Sequence, residues 1–229
     1  MSFDFVAIGD TVTDAFIRLK DAEVHCEVNR ERCVICMRFA DKIPYESVTV
    51  VPAVGNSPNA AVAAARLGLA TALVSNVGHD PAGKECLAVF KREGVSAKFI
   101  TTHRGVQTNY HYVLWYGDDR TILVKHEQFT YSLPDIGDPA WLYLSSLGAD
   151  AEAIYPTLVA YLTEHPKVAL AFQPGTYQMQ LGTDRLGEVY RRTRAFFCNR
   201  EEAQRILKTN ENDMRQLLTG LHALGPKIV

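Results

Sequence analysis

Short apolar runs, most of them closed by glycine, alternate along this chain with patterns typical of helices. The strand-like runs are residues 3–9, 71–78, 140–148, 167–175 and 194–199. The helical patterns are residues 58–67, 81–93, 151–164, 183–193, 201–208 and 212–223. Strands that alternate with helices predict an α/β fold with a mainly parallel central sheet. Because these strands are apolar on both sides, we expect helices to flank both faces of that sheet.

Two segments, residues 18–51 and 106–124, break this alternation and read as half-exposed strands. Residues 109–124 predict a hairpin that turns near residues 117–120. A small β-element beside an α/β body often covers a ligand cleft. It is equally well an extension of the sheet, and the pattern leaves both interpretations open.

The charge and hydropathy of the chain exclude several classes of partner. The 229 residues carry a formal net charge of -2, which gives no electrostatic reason to bind nucleic acid or an anionic membrane. No run approaches the roughly 18 apolar residues of a membrane-spanning helix. The first ten residues, MSFDFVAIGD, lack the basic region and apolar core of a signal peptide. We therefore expect a cytoplasmic protein without nucleic-acid or membrane partners.

The five cysteines are odd in number and scattered, which indicates reduced thiols. His25, Cys26, Cys33 and Cys36 lie close together and include one C-x-x-C pair, a spacing known from zinc sites. There is no second C-x-x-C pair, and the segment alternates like a strand pair. The sequence therefore does not favour a metal site here.

The polar mouth of the helical pattern that starts near residue 58 is the first candidate site. Ser57 fits a helix N-cap, and Pro58 fits the first helical position. Gly55 lets a ligand approach the backbone closely. The amides of Asn56 and Asn59 can both donate and accept hydrogen bonds, which suits the hydroxyls of a sugar or nucleoside. Capping of the helix alone is the alternative interpretation.

The segment GHDPAGK, residues 78–84, has the spacing of a phosphate-binding P-loop without its chemistry. Glu85 stands where a Ser or Thr would hold magnesium, and Pro81 removes a backbone N–H that the loop needs. Asp80 followed by Pro81 instead predicts the capped start of a second helix.

The segments GNSPNAAVAAARLG and VSNVGHDPAG together resemble the first signature of the ribokinase-like (PfkB) carbohydrate kinases. The segments AIGDTVTD, KIPYE, FQPGTYQ and NREE agree with that family in the same order. The resemblance spans essentially the whole chain. It implies one ribokinase-like kinase domain over residues 1–229, with lid strands roughly within residues 18–51 and 106–124. The implied activity is ATP-dependent phosphorylation of a sugar or nucleoside hydroxyl, although the substrate is not identified.

The resemblance also implies roles for particular residues. The implied substrate-binding residues are Asp14, Gly55, Asn56 and Asn59. Val54 replaces the first glycine of that family element. Asn199 and Glu202 match an element that places the phosphates of ATP and its Mg²⁺, with Glu202 holding the metal directly or through water. The residues themselves allow plainer interpretations, namely a turn carboxylate for Asp14 and a helix capping box for Asn199 and Glu202.

One element of the family has no counterpart in this sequence. The family's Gly-Ala-Gly-Asp motif supplies the catalytic base and backbone N–H groups for the transferred phosphate, but this chain contains no Gly-x-Gly. We therefore assign no catalytic residue, expect the base beyond Val229 in a C-terminally truncated kinase, and expect the fragment to be inactive. The alternative is a non-catalytic sugar- or nucleoside-binding or interaction protein derived from such a kinase.

The family's lids often pair between subunits, which implies a homodimer through the β-lid. The aromatic side chains of the second half-exposed segment would then face the partner or the ligand. They are Tyr110, Tyr112, Trp115 and Tyr116.

Overall fold

A parallel sheet forms the middle of the protein, seen in a computed structural model that describes residues 2–26 and 33–229. In chain order the strands are β1 Phe5–Ile8, β2 Val12–Leu19, β3 Glu23–His25, β4 Val34–Cys36, β5 Tyr45–Val54, β6 Thr71–Gly78, β7 Val95–Ser96, β8 Ile100–His103, β9 Asn109–Tyr116, β10 Asp119–Leu123, β11 Trp141–Leu144, β12 Ala169–Phe172 and β13 Thr193–Phe196. The helices are α1 Asn56–Arg66, α2 Pro81–Arg92, α3 Ile154–Glu164, α4 Thr176–Arg192, α5 Arg200–Leu207 and α6 Met214–Ala223. A short 3-10 helix, Ala149–Ala153, precedes α3.

The main sheet has the strand order β13-β12-β11-β1-β6-β7, with β8 also pairing with β6, and its pairs are parallel. Ile8 of β1 packs in a core that includes Leu158 of α3. Its neighbour Ala7 belongs to a second core that includes Phe90 of α2. Successive side chains of a strand point to opposite faces, so helices cover both faces of the sheet. The predicted α/β fold is confirmed.

The predicted helices are present, and the predictions for the starts of α1 and α4 need correction. The prediction of Ser57 as the N-cap is wrong, because α1 begins at Asn56 with Gly55 as its N-cap. The hydroxyl of Ser57 is buried and donates to the Ile8 carbonyl oxygen at 2.7 Å. The helix predicted over residues 183–193 is the second half of α4, whose backbone leaves helical geometry at Gly182, where φ is 78°.

A smaller four-stranded sheet, in the order β10-β9-β2-β5, takes strands from both segments that break the alternation. The hairpin predicted over residues 109–124 is confirmed as β9 and β10, which pair antiparallel. A two-stranded sheet of β3 and β4 lies between β2 and β5 in the sequence.

Cys86 of α2 joins the small sheet to the main body. Its sulfur lies 3.5 Å from the Thr13 hydroxyl of β2 and accepts the backbone N–H of Ala53 in β5 at 3.2 Å. Burial raises the pKa of this thiol, so it stays neutral and serves packing.

The structure joins Cys26 and Cys33 by a disulfide, so the prediction of reduced thiols is wrong for this pair. Cys36, Cys86 and Cys198 are free. Within residues 2–26 and 33–229 there is no group of three or more His, Cys, Asp or Glu side chains arranged to hold a metal ion. In the same described part of the chain, none of the helices has the length and apolar character needed to cross a bilayer.

Asp80 holds together the turn between β6 and α2. Its carboxylate caps α2 by accepting the Gly83 N–H at 2.8 Å. It also accepts the backbone N–H of Thr108 at 3.0 Å and the Thr108 hydroxyl at 2.6 Å. The capping prediction is confirmed, and the same carboxylate fixes the loop that leads into β9.

We expect Asp80→Ala to lower the free energy of unfolding at pH 7 by about 2 kcal/mol, because it removes the cap and leaves the Thr108 N–H without its acceptor. Burial alone would raise the pKa of Asp80, but its hydrogen bonds to Thr108 and Gly83 outweigh burial and lower it. The stabilisation is therefore complete well above pH ~4, the ordinary pKa of an aspartate, and is lost progressively as the pH falls through and below that value. Urea unfolding at pH 7 and pH 3 should show the difference from wild type shrinking, whereas Asp118→Ala, an exposed turn residue, should change little at either pH.

Candidate functional site

The main sheet has a topological switch point between β1 and β11. From β1 the chain proceeds to β6 on one side and returns later to β11 on the other side. In open α/β sheets, ligands bind beyond the carboxyl ends of the strands at such a point. Here these ends carry Asp10 after β1, Ser145 and Ser146 after β11, and Gly175 after β12.

Asp10 is the buried carboxylate of this crevice, with 5% of its surface exposed. The hydroxyl of Tyr131 donates to its two carboxylate oxygens at 2.9 and 3.1 Å and accepts the Gly148 N–H at 3.1 Å. Burial, followed by the charge of Asp10, raises the pKa of Tyr131 far above its ordinary value. The phenol therefore stays protonated and holds the Asp10 carboxylate in place.

Asp14 and two histidines complete a cluster around Asp10. The parallel register of β2 and β9 places His111 beside Asp14, with His111 Nδ1 3.5 Å from Asp14 Oδ1. His126 Nδ1 lies 3.5 Å from Asp10 Oδ2, and the two imidazole centroids are 5.3 Å apart. Asp10, Asp14, His111 and His126 are called the carboxylate–imidazole cluster below. None of the four side chains is more than 21% exposed.

Polar atoms without hydrogen-bond partners concentrate at this cluster. Among the described residues five buried side-chain atoms have no partner, and three of them are Asp14 Oδ1, His111 Nε2 and His126 Nδ1. A fourth is Nδ2 of Asn109, a residue of β9 with no exposed surface. Buried polar groups are nearly always paired in folded proteins. An unpaired group of this kind costs about 1–3 kcal/mol, so the cluster is suited to a ligand that supplies the missing partners.

The N-terminus of α1 lies against the same crevice. Gly55 has φ of 127°, and a Cβ at this position would lie 2.7 Å from the Asp10 carbonyl oxygen. Both facts require glycine here. The Ser57 hydroxyl, 2.6 Å from that of Ser145, ties the first turn of α1 to the end of β11. The helix N-terminus, with its partial positive charge, therefore lies against the backbone of Asp10 and the end of β11.

Asn56 and Asn59 are both exposed, and the structure does not place Asn59 in the cluster. Asn59 lines a groove of about 710 Å³ between α1 and α2, together with Arg66, Glu85 and Arg92. Of the four substrate-binding residues implied by the resemblance, Asp14 belongs to the cluster and Gly55 borders Asp10. The roles of Asn56 and Asn59 stay predictions.

Asn199 and Glu202 lie at a second groove, of about 440 Å³, beyond the ends of β12 and β13. Asn199 Oδ1 accepts the Glu202 N–H at 2.8 Å, and Glu202 Oε2 accepts the Asn199 N–H at 2.9 Å. This is the reciprocal capping box that the spacing allows. Gln173, whose side chain accepts the Tyr143 hydroxyl, also lines the groove.

Comparison with known protein families decides the membership of the chain. The model of the pfkB family carbohydrate kinases matches residues 23–229. The chain belongs to the PfkB family of carbohydrate kinases. Among curated protein sequences, none matches it significantly.

Solved structures of similar fold include three sugar or nucleoside kinases. The ribokinase of Arabidopsis thaliana, determined with ribose and ATP, has 16% identity and a TM-score of 0.74 over 99% of this chain and 70% of its own. The fructokinase of Halothermothrix orenii has 20% identity and a TM-score of 0.73 over 98% of this chain and 77% of its own. The nucleoside kinase of Methanocaldococcus jannaschii has 14% identity and a TM-score of 0.68 over 95% of this chain and 68% of its own. These similarities confirm the ribokinase-like fold.

Sequence reasoning about this PfkB chain missed four residues of the site, Asp10, Asn109, His111 and His126. A charged side chain directly after Gly9 at the end of an apolar run could have pointed to Asp10, since parallel strand ends form the binding edge. Neither histidine had such a signal. His111 stands in an ordinary alternating strand, and His126 lies in a segment without regular structure.

Proposed function

We propose that this chain binds the hydroxyl groups of a sugar or nucleoside at the carboxylate–imidazole cluster. It does so as the substrate-binding part of an ATP-dependent kinase that phosphorylates one of those hydroxyls. The observation that carries the proposal is a set of unpartnered polar atoms, three in the cluster, on Asp14, His111 and His126, and one on Asn109, two residues before His111 on β9. Hydroxyls donate and accept at once, so they can pair with carboxylate, amide and imidazole groups alike. The kinases of similar fold, a ribokinase, a fructokinase and a nucleoside kinase, support this class of ligand.

The small sheet serves in this proposal as a lid. It contributes Asp14 and His111, whereas the main sheet contributes Asp10. Because the cluster side chains are largely covered, a ligand enters when the small sheet moves away from the main sheet, and closure then excludes water from the ligand.

The exposed part of the opposite face of the same sheet supports the predicted homodimer. The strand register places several exposed apolar side chains on the face opposite Asp14 and His111. They are Tyr45, Val48, Val50, Tyr112 and Leu123. Several exposed apolar side chains on one face of a small sheet are consistent with a protein interface.

ATP and its Mg²⁺ belong in this proposal to the groove at Asn199 and Glu202. The capping box leaves the Asn199 amide nitrogen and the second Glu202 oxygen available, and oxygen ligands are those that Mg²⁺ prefers. Bound ATP would supply the phosphoryl group, whose transfer depends on positioning and charge neutralisation. A cytoplasmic location stays a prediction.

Calorimetric titration of the 229-residue chain with D-ribose, D-fructose and adenosine tests the proposal. We expect saturable binding of at least one of them, and binding of none would contradict the proposal. An ADP-release assay with the same ligands and Mg-ATP should show no turnover, because the chain has no Gly-x-Gly to supply the family's base and phosphate-binding loop. Turnover would refute the predicted inactivity and leave the binding proposal standing.

A further inference from the structure

Two imidazoles bridge the two carboxylates of the site. His111 reaches the cluster from β9 and lies beside Asp14. His126 reaches it from the segment between β10 and β11 and lies beside Asp10. The rings meet edge to face at 5.3 Å, and His126 makes a second edge contact with Tyr177 at 5.6 Å. These ring contacts fix both imidazoles at the place where a ligand of the cluster would bind.

Each imidazole has a buried nitrogen without a hydrogen-bond partner, Nε2 in His111 and Nδ1 in His126. An ionised carboxylate only accepts hydrogen bonds, whereas a neutral imidazole nitrogen donates or accepts according to its tautomer. Asp10 and Asp14 can therefore accept hydrogen bonds from ligand hydroxyls but cannot donate to the hydroxyl oxygens. The open nitrogens of His111 and His126 donate to a hydroxyl oxygen when they carry the imidazole proton and accept from a hydroxyl when they do not.

The charges around the cluster favour a neutral group over an anion. Asp10 and Asp14 would repel a phosphate or carboxylate placed between them. Two cations of the nearby segments are already paired, Lys125 with Glu127 at 2.6 Å and Arg18 with Glu46 at 3.0 Å. The part of a ligand that contacts the cluster is thus expected to be uncharged.

We propose that His111 and His126 are specificity-determining residues of this site: each bonds one hydroxyl of a pair of neighbouring free hydroxyls on the ligand ring, and together they reject rings that lack either hydroxyl. This inference rests on the proposed function. It names the ligand chemistry as an unsubstituted pair of neighbouring hydroxyls, as found both in free ribose and in the ribose of a nucleoside. A site whose buried polar groups need a ligand hydroxyl rejects the analogue without it strongly, because those groups are then left unpaired.

A cycle of protein and ligand changes tests the assignment. His111→Phe and His126→Phe keep an aromatic ring in the cluster and remove the nitrogens. Wild type and variants are titrated with D-ribose and 2-deoxy-D-ribose, and with adenosine and its 2'- and 3'-deoxy forms. The ligand series that binds wild type, ribose or adenosine, shows whether the protein recognises the diol on a free sugar or on a nucleoside.

We expect wild type to bind the intact diol at least tenfold more tightly than one of the deoxy forms. At least one His→Phe variant should bind the intact ligand at least tenfold more weakly than wild type does. The same variant should bind that deoxy form almost as well as wild type does, because the deoxy form already lacks the hydroxyl that would bond the histidine. Tyr110→Phe, on the opposite face of the same strand, should stay within twofold of wild type for all ligands.

Two further results separate this inference from the function on which it rests. If wild type binds but both His→Phe variants lose the same factor for intact and deoxy ligands, or lose nothing, the specificity role is overturned and the proposed function survives. If wild type binds none of these ligands, the specificity role is overturned, and the proposed function is overturned with it when D-fructose also fails to bind.

Discussion

We expect Gly78→Ala to lower the free energy of unfolding by about 3 kcal/mol. A Cβ on Gly78 would lie 2.3 Å from the Val106 carbonyl oxygen and 2.6 Å from the Thr108 nitrogen. Both are backbone atoms, so the loop between β8 and β9 would have to shift as a whole. That shift would also disturb the hydrogen bond from the Gly78 N–H to the Thr108 hydroxyl, which is 3.0 Å long.

Gly187→Ala is the matched control, with the opposite expected sign. Gly187 lies inside α4, and a Cβ there would come no closer than 3.5 Å to the flexible end of Arg191. Alanine favours a helix over glycine by about 1 kcal/mol, so this variant should be slightly more stable than wild type. Urea unfolding followed by circular dichroism measures both. A loss below about 1 kcal/mol for Gly78→Ala would show that the loop can adjust and would contradict the argument.

The Gly78 prediction gives a structural meaning to the VGHDPAG turn. Gly83 is as constrained as Gly78, since a Cβ there would lie 2.2 Å from the Gly78 carbonyl oxygen. The Asp80 carboxylate accepts hydrogen bonds from Gly83 and Thr108. In this chain the turn therefore connects α2 to the start of β9, and its residues are held by packing and capping.

The strands and helices were predictable because local patterns determine them. β6, with all eight residues buried, occupies the residues that its apolar run predicts. The start of α1 was predicted wrongly because the Ser57 hydroxyl bonds Ile8 and Ser145, which are distant in sequence, and does not cap the helix. The preference of serine for the N-cap position is a local signal and does not reveal such contacts. The first half of α4 was missed because Gly182 looks like a break, whereas the chain resumes a helix directly after it.

The site was only partly predictable, for a related reason. Asp14 was found through its motif, but its neighbour His111 is set by the pairing of β2 with β9, which are far apart in sequence. Asp10 and Tyr131 meet across 121 positions. Contacts of this range depend on the assembled fold, and no spacing rule within one segment encodes them.

Substitution by Asn should have different effects at the two aspartates of the cluster, on ligand affinity at Asp14 and on stability at Asp10, and this difference tests the site directly. We expect Asp14→Asn to weaken the binding of the ligand found by titration by about 10- to 100-fold, because a hydrogen bond to a charged acceptor contributes about 1.5–3 kcal/mol. The melting temperature should stay about the same, because Asp14 Oδ1 has no hydrogen-bond partner and its contact with His111 Nδ1 is long, at 3.5 Å, so the substitution removes no hydrogen bond of that atom in the folded protein.

Asp10→Asn should instead lower the melting temperature, since Tyr131 donates to both oxygens of Asp10 and an amide replaces one of those acceptors with a donor. Thermal unfolding and calorimetry on the same samples separate the two effects. An Asp14→Asn variant that loses as much stability as Asp10→Asn would make Asp14 a structural residue, and unchanged affinity would remove it from the binding site. Stability lost at Asp10 together with affinity lost at Asp14 would mean that the main sheet fixes the cluster while the small sheet supplies an acceptor that only a ligand satisfies.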